Sequence, residues 1–308
     1  MKREITGIIA RAQEGKAPTY EEVMELLALD EASPEATAVR GAANDLVRAK
    51  TGNAAVLLGQ IGVDVYPCEA DCQFCSFGKS HTCFTEHVTM PIDEVVKRAP
   101  EALRTMHINL KDAGVSAVYH VKRLGEGCLT KITPERREQT IHAAHAAGLK
   151  VEECCEPVGA ETPVEDIATR LMEIRQRDED FGGLDTTGVM KRTSVPGTRY
   201  EGLENEITNL RMAQMNAIET LLMCDRPHAI HMGHHEANLI SLVSGSNCVT
   251  AETGFNPRDT AEDTSAARGL DVPAVRELYY QAGFRRLMKG DGSYVDLTPE
   301  YMEAKLSE

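Results

Sequence analysis

Cys68, Cys72 and Cys75, in the run Val65-Tyr-Pro-Cys-Glu-Ala-Asp-Cys-Gln-Phe-Cys-Ser-Phe77, have the types and the spacing for metal chemistry. Three thiols spaced C-x3-C-x2-C can wrap one loop around a cubane iron–sulfur cluster and fill three of its four corners. A four-cysteine ferredoxin site closes every corner, and a structural zinc site also takes four ligands. A site filled only three-quarters by protein leaves one iron open to a ligand that can react. Two plainer readings stand beside this one. Cys83, His81 or His87 can supply the fourth ligand of a zinc site, although zinc pairs are usually C-x2-C units set apart by a longer loop. Alternatively, the three are inert cysteines.

Elements able to position such a loop surround it. Ala54 to Val65 is apolar and β-compatible, so the loop follows a strand. Helices are expected over Ile5–Ala12, Tyr20–Leu29 and Ser33–Lys50, with Thr19 and Ser33 as N-caps ahead of acidic first turns. Strands are expected at Val115–Val121, Lys150–Val158, Thr186–Arg192 and around Ala229–Met232, with Cys248–Glu252 as the last. Between them lie helices from Thr133 to Ala147, Glu161 to about Arg177, Glu204 to Met223 and Ala237 to Val243. Val272–Ala282 reads as the last substantial helix. Strand alternating with helix predicts βαβ units and a mainly parallel sheet or barrel.

Composition narrows the function classes. The 308 residues include 33 basic and 48 acidic side chains, a formal charge of −15, which opposes nucleic-acid binding. Tryptophan is absent and aromatics make up 5%, so no base-stacking platform is expected. No run approaches the roughly 18 apolar residues of a membrane span, and the N-terminal residues lack a signal-peptide core. Nine cysteines without such a signal predict a reducing, cytoplasmic setting and metal chemistry rather than disulfides.

The cysteine spacing, with Phe74 just before the third cysteine, resembles the signature of the radical SAM superfamily. Gly159-Ala-Glu-Thr162 after the Lys150–Val158 strand, Val195-Pro-Gly-Thr198, and Ser244-Gly-Ser-Asn247 before Cys248 resemble, in that order, turns of its biotin-synthase-like branch. That branch includes biotin synthase, the hydrogenase-maturation enzyme and methylornithine synthase. The resemblance implies an α/β fold: a TIM-like, partial parallel βα barrel over 54–290, with an N-terminal helical extension over 1–53 and a C-terminal tail over 291–308. It implies a [4Fe–4S] cluster on Cys68, Cys72 and Cys75, with S-adenosylmethionine on the open iron. In that family a 5′-deoxyadenosyl radical then takes hydrogen from a small substrate, and an electron donor such as flavodoxin or ferredoxin supplies the electron. Sulfur insertion is one outcome the branch hosts, and it would need a second cluster or metal drawing on Cys83, Cys128, Cys154 or Cys155.

One departure is large. Only 43 residues separate Cys75 from Tyr119, where the family places two further βα units. Helices fit 91–103 and 105–113, but no strand candidates do, so the barrel is expected to lack its second and third strands. Other residues, a second copy or a partner subunit would then cover the gap. This departure motivates a rival reading, a non-catalytic iron–sulfur assembly or carrier subunit; the structural zinc protein is the other.

By the same resemblance, Arg137 takes the SAM carboxylate, Glu126 faces SAM or substrate from the tip Arg123–Gly127, and His231 stands near an arginine cluster ligand of biotin synthase. For Arg137 the plain alternative is a solvated helix face, and for Glu126 a tight glycine turn. Arg192, at a strand end, is a candidate contact for SAM or a substrate anion. Glu152 and Glu153 share a strand, so alternation sends one into the barrel, where an unpaired charge is costly. Glu152 falls where biotin synthase has an auxiliary-cluster cysteine. His228, His231, His234, His235 and Glu236 crowd one strand end and can bind metal, substrate carboxylate or adenosine; Asn238 can equally be a helix cap. Asn256-Pro-Arg-Asp259 can close the site floor, or simply turn the chain.

Overall fold

The strand that leads into the cysteine loop organises the sheet. A computed structural model describes residues 2–82, 84–91, 93–94, 117–226, 231–232, 239–254, 270–288 and 293–306. Its strands are β1 (Ala54–Gly62), β2 (Asp64–Val65), β3 (Val88–Thr89), β4 (Ala117–Tyr119), β5 (Lys150–Val158), β6 (Thr187–Lys191), β7 (His231–Met232), β8 (Cys248–Gly254), β9 (Arg286–Met288) and β10 (Tyr294–Asp296). β2 and β3 form a small antiparallel ribbon beside the cysteine loop; the others join one sheet in the order β10-β9-β1-β8-β7-β6-β5-β4. Within it only β10 runs antiparallel.

Helices provide the parallel crossovers and the outer layer. They are α1 (Arg3–Gln13), α2 (Tyr20–Leu27), α3 (Pro34–Thr51), α4 (Pro134–Ala146), α5 (Val164–Phe181), α6 (Asn209–Leu222), α7 (Leu239–Leu242), α8 (Val272–Gln281) and α9 (Pro299–Leu306). Thr19 and Ser33 cap α2 and α3 as expected, and Thr19 completes a capping box with Glu22. α1 to α3 cover α6, whose residues from Met212 to Leu222 are all buried. That covering is specific, because Gln214 Nε2 donates to the Leu26 and Leu29 carbonyls, both at 3.1 Å.

β1 closes on β8 from Val56 opposite Cys248 to Gly62 opposite Gly254, the pairing that curls a parallel sheet into a barrel. On its other edge β1 meets β9 only at Ala54–Val56. Between β1 and β4 in the chain, the described residues form the separate β2–β3 ribbon, which does not join the sheet; most of the segment expected to lack strands, 95–116, lies outside the described residues. Alternation divides the side chains. Leu58, Val121, Cys154 and Met190 pack together in the lumen. Ala55, Leu57, Val249 and Ala251 face outward onto α8, and Cys155 faces α4 and α5.

Three expectations change. Cys248–Glu252 is not the last strand, since β9 and β10 follow it, and α9 follows α8. A three-residue strand is too short to show periodicity in the sequence. The helix expected from Glu204 begins at Asn209, capped by Thr208. Glu206 is drawn off instead to Lys191 Nζ at 2.8 Å and the Ser194 amide at 2.5 Å. Helix α5 runs past Arg177 to Phe181 and stops at Gly182. Residues 95–116, Cys83, His228, His234, His235, Glu236, Asn238 and Asn256–Asp259 lie outside the described residues, as does the side chain of His231. No helix among the described residues is long and apolar enough to cross a membrane.

Candidate active site

The cysteine loop leaves the C-terminal end of β1 and is knotted by its own backbone. Cys68 N–H donates to the Phe77 carbonyl at 2.8 Å, Cys75 N–H to Cys72 at 3.1 Å, and Lys79 N–H to Cys68 at 3.2 Å. Asp71, at φ +48°, accepts the Ser80 amide and hydroxyl, each at 2.8 Å, and Lys131 Nζ lies 2.7 Å from its other oxygen. Those bonds hold the Asp71 carboxyl well below its usual range. His81 Nε2 donates to the Cys75 carbonyl at 2.7 Å, and Gln73 N–H donates to Leu129 at 3.0 Å, docking the loop on the segment after β4. A cavity of about 760 Å³ lies between these segments and Gly197–Arg199, with Asp71, Gln73, His81, Cys128, Lys131 and Arg199 on its wall.

Cys68, Cys72 and Cys75 are free thiols, each half-buried. Burial pushes the Cys75 thiol up to about 12 and also raises that of Cys72, and the three sulfurs lie close enough to feel one another's charge. Two guanidiniums, Arg123 and Arg137, oppose that rise at Cys72.

Both arginines belong to a buried charged wall. Arg137, on α4, meets Glu126 through Nε at 3.1 Å and Nη2 at 3.2 Å, with side chains only 6% and 1% exposed. Glu126 also accepts the Arg123 amide at 2.9 Å and the Thr130 hydroxyl at 3.0 Å. Arg137 Nη1 lies 3.2 Å from His120 Nε2, and burial together with Arg137 and Arg123 pushes the His120 pKa down, favouring neutral imidazole. Arg123 Nη2 reaches Glu156 Oε1 at 3.3 Å. Glu156 and Glu152 stand on the lumen face of β5 with Cys154, and Tyr119 is the register partner of Glu152 on β4.

At the far rim Arg192 is held on three sides. Glu161 takes Nη1 and Nη2, both at 2.6 Å, the Asn205 carbonyl accepts from Nη2 at 3.0 Å, and the Tyr200 ring centre lies 3.6 Å from the guanidinium carbon. This explains both sides of the Gly159-Ala-Glu-Thr162 turn. Glu161 supplies the counter-charge, and Gly159 leaves the space.

No family model matches the chain. Over 153 residues, 49% of its length, it is 26% identical to deoxyribose-phosphate aldolase of Mus musculus, and it spans about half (46%) of that protein. Solved structures match far more of it. The FeFe-hydrogenase maturase HydG from Carboxydothermus hydrogenoformans superposes with a TM-score of 0.68 over 92% of this chain and 79% of that one, at 14% identity. Methylornithine synthase (PylB) gives 0.67 over 90% and 96%, at 16% identity. The chain shares the partial parallel α/β barrel fold of those two structures. At such identities the likeness is one of fold.

Within that fold the expected site residues separate. Cys68, Cys72, Arg137 and Glu126 come together on one side of the barrel mouth, whereas Arg192 belongs to the Glu161–Tyr200 rim. Glu126 spends its oxygens on Arg137, Thr130 and the Arg123 amide, so it acts by holding Arg137. Glu152 takes the lumen face and accepts the Thr186 hydroxyl at 3.4 Å. Glu153 faces the helices and is fully buried against Arg170 and Arg177, the latter through Nε at 3.0 Å. Both carboxylates of the pair are therefore placed, the outward one more deeply than the inward one. Cys154 and Cys155 point to opposite faces of β5, so they cannot ligate one second cluster together. Sequence reasoning does not single out Arg123, Glu156, Tyr119 or His120. Alternation along β5 is the available signal for Glu156.

The donors present fit the implied groups. Three free thiols on one loop suit three corners of a [4Fe–4S] cluster by type and spacing, and Arg123 and Arg137, whose charges act on Cys72, suit the carboxylate of an amino-acid ligand. Of the residues expected to complete a zinc site, Cys83 lies outside the described residues. Among the described residues no three Cys, His, Asp or Glu side chains, the three loop cysteines included, converge on one ion position. His81 is committed to Cys75, and His87 Nε2 lies 3.2 Å from Asp64.

Proposed function

We propose that the chain is a radical SAM enzyme acting on a small substrate held in the barrel lumen. The observation that carries this reading is the placement of Cys68, Cys72 and Cys75 at the end of β1, with Arg123 and Arg137 beside Cys72. Bound there, a [4Fe–4S] cluster and S-adenosylmethionine supply one-electron chemistry that ends in removal of hydrogen from a substrate C–H bond. The chain's own work is positional. Asp71, Ser80, Lys131 and His81 keep the loop in one shape, so the three sulfurs present a prepared face. Glu126 aims Arg137, and Glu156 aims Arg123, so an anionic ligand group meets guanidiniums already in place. Leu58, Val121 and Met190 line the lumen with apolar surface that limits water near a reactive carbon.

The deciding experiment is anaerobic reconstitution followed by incubation with dithionite and S-adenosylmethionine, with 5′-deoxyadenosine measured by mass spectrometry. Deoxyadenosine from the wild type and none from Cys72→Ala is the expected outcome. A loaded cluster whose electron paramagnetic resonance ignores S-adenosylmethionine, with no deoxyadenosine, would support the carrier-subunit reading instead.

A further inference from the structure

The cavity beside the cysteine loop is left unused by the function proposed above. Its volume of about 760 Å³ is that of a small-molecule site. Asp71 and Gln73, which flank Cys72, stand on one wall, the segment Gly127–Lys131 on a second, and Gly197 with Arg199 on a third. None of the lumen side chains Leu58, Val121, Cys154 and Met190 lines it, and neither Arg123 nor Arg137 does. It is thus a chamber of its own, made where the segments after β1, β4 and β6 meet.

Arg199 has the most left to offer a guest there. Its Nη1 donates to Gln73 Oε1 at 2.8 Å. Gln73 Nε2 donates in turn to the Cys128 carbonyl at 3.3 Å, and the Gln73 amide to Leu129 at 3.0 Å. The guanidinium is therefore steadied by a neutral partner that is itself fixed at both ends. The Tyr200 ring centre lies 5.4 Å away, and among the described residues no carboxylate pairs with Arg199. Glu161 feels its charge, but both Glu161 oxygens are taken by Arg192 at 2.6 Å. Asp71, the acid on the cavity wall, is answered by Lys131 Nζ at 2.7 Å. Asp71, Lys131 and Arg199 together leave one positive charge over.

A guanidinium with unspent N–H groups, held in the wall of a chamber, suits a planar carboxylate that takes two of them at once. One carboxylate balances the surplus charge. A phosphate dianion would overshoot it beside Asp71, and an ammonium would meet a charge of its own sign. We infer that this cavity is a second ligand site and that it receives a small monocarboxylate on Arg199. The guest would lie against the backbone on both sides of Cys72, next to the loop that carries the three thiols.

The probe is butyrate, titrated into the full, cluster-loaded chain and followed by the broadening of its own proton resonances. Butan-1-ol, n-butylammonium and inorganic phosphate are the neutral, cationic and dianionic controls. Butyrate should bind tightest, and Arg199→Gln should weaken it about tenfold, the scale of a lost charge-assisted pair. Gln73→Glu, which keeps the guanidinium but answers its charge, should weaken it as well.

Equal or tighter binding of any control overturns the inference, and so does unchanged butyrate affinity in Arg199→Gln. Should circular dichroism show Arg199→Gln misfolded, unchanged affinity in Gln73→Glu overturns it. Deoxyadenosine from a wild type that ignores butyrate would defeat this inference alone. Arg199-dependent butyrate binding by a wild type that never cleaves S-adenosylmethionine would defeat the radical reading alone.

Discussion

A side chain on Gly159 would stand where the Arg192 guanidinium lies, because a Cβ there would come 2.1 Å from Nη2. Gly159 and Arg192 end neighbouring strands, β5 and β6, and the amide of Arg192 donates to the Val158 carbonyl at 2.7 Å. The backbone approach and the buried arginine are thus one arrangement. Gly159→Ala should push Arg192 off Glu161 and destabilise the fold by about 1–3 kcal/mol, the usual cost of overpacking. Urea unfolding would measure it, and an unchanged midpoint would show that the arginine has somewhere else to go.

The Glu161 end of that arrangement predicts a pH dependence. Hydrogen bonds from Arg192 hold the Glu161 carboxyl below its usual range. A folded-state pKa below the unfolded value of about 4.3 gives a stabilisation that is complete above that value. It is lost as pH falls through the folded pKa. Glu161 is half exposed, so the effect should be under about 1 kcal/mol. Thermal melts from pH 7 to pH 3 should show the wild type's advantage over Glu161→Gln shrinking toward acid; a constant gap would contradict the assignment.

Glu126 and Arg137 should behave as a buried pair. Glu126→Ala leaves the Arg137 charge without a counter-ion and should cost about 3–5 kcal/mol. Replacing both, as Glu126→Leu with Arg137→Met, should recover most of that loss. Urea midpoints of the single and double variants give the comparison, and a double variant as unstable as Glu126→Ala would show that the pair does not act as a unit. On the function proposed above, the double variant should still lose affinity for S-adenosylmethionine, since one of the two guanidiniums proposed to meet its carboxylate is gone.

Tyr279 ties β1 to β8 below the site. Its hydroxyl accepts the Val249 amide at 2.7 Å and donates to the Val56 carbonyl. Tyr279→Phe strands both buried backbone groups and should cost about 1–3 kcal/mol. Hydrogen exchange at the Val249 amide should quicken in the variant; protection equal to the wild type's would mean another group takes the phenol's place.

The cysteine loop, the β5 strand and the caps at Thr19 and Ser33 are legible in the sequence. Each depends on residues a few positions apart, and local backbone preference or short-range ligand spacing decides them. Strands β9 and β10 are not legible there, because three residues carry too little pattern and only the exposed edge of β1 recruits them. The onset of α6 differs from the expected one for a related reason: Glu206 suits a helix's first turn, but its bonds to Lys191 and the Ser194 amide leave Thr208 to start the helix.

What the sequence by itself determined is the chemistry available: three thiols on one loop, an alternating βα chain, and a net charge of −15. Tertiary structure alone decided how the charges are used. Arg137 pairs with Glu126 across a turn, Arg192 with Glu161 across two strands, and Arg123 with Glu156 between β5 and the loop after β4. Glu152 and Glu153 are adjacent and chemically alike, yet one faces the lumen and the other Arg170 and Arg177. Alternation guarantees that they diverge, but only the packing of α5 against β5 determines which is which. Burial makes each charge seek a partner, and the partner is whatever the fold brings within reach.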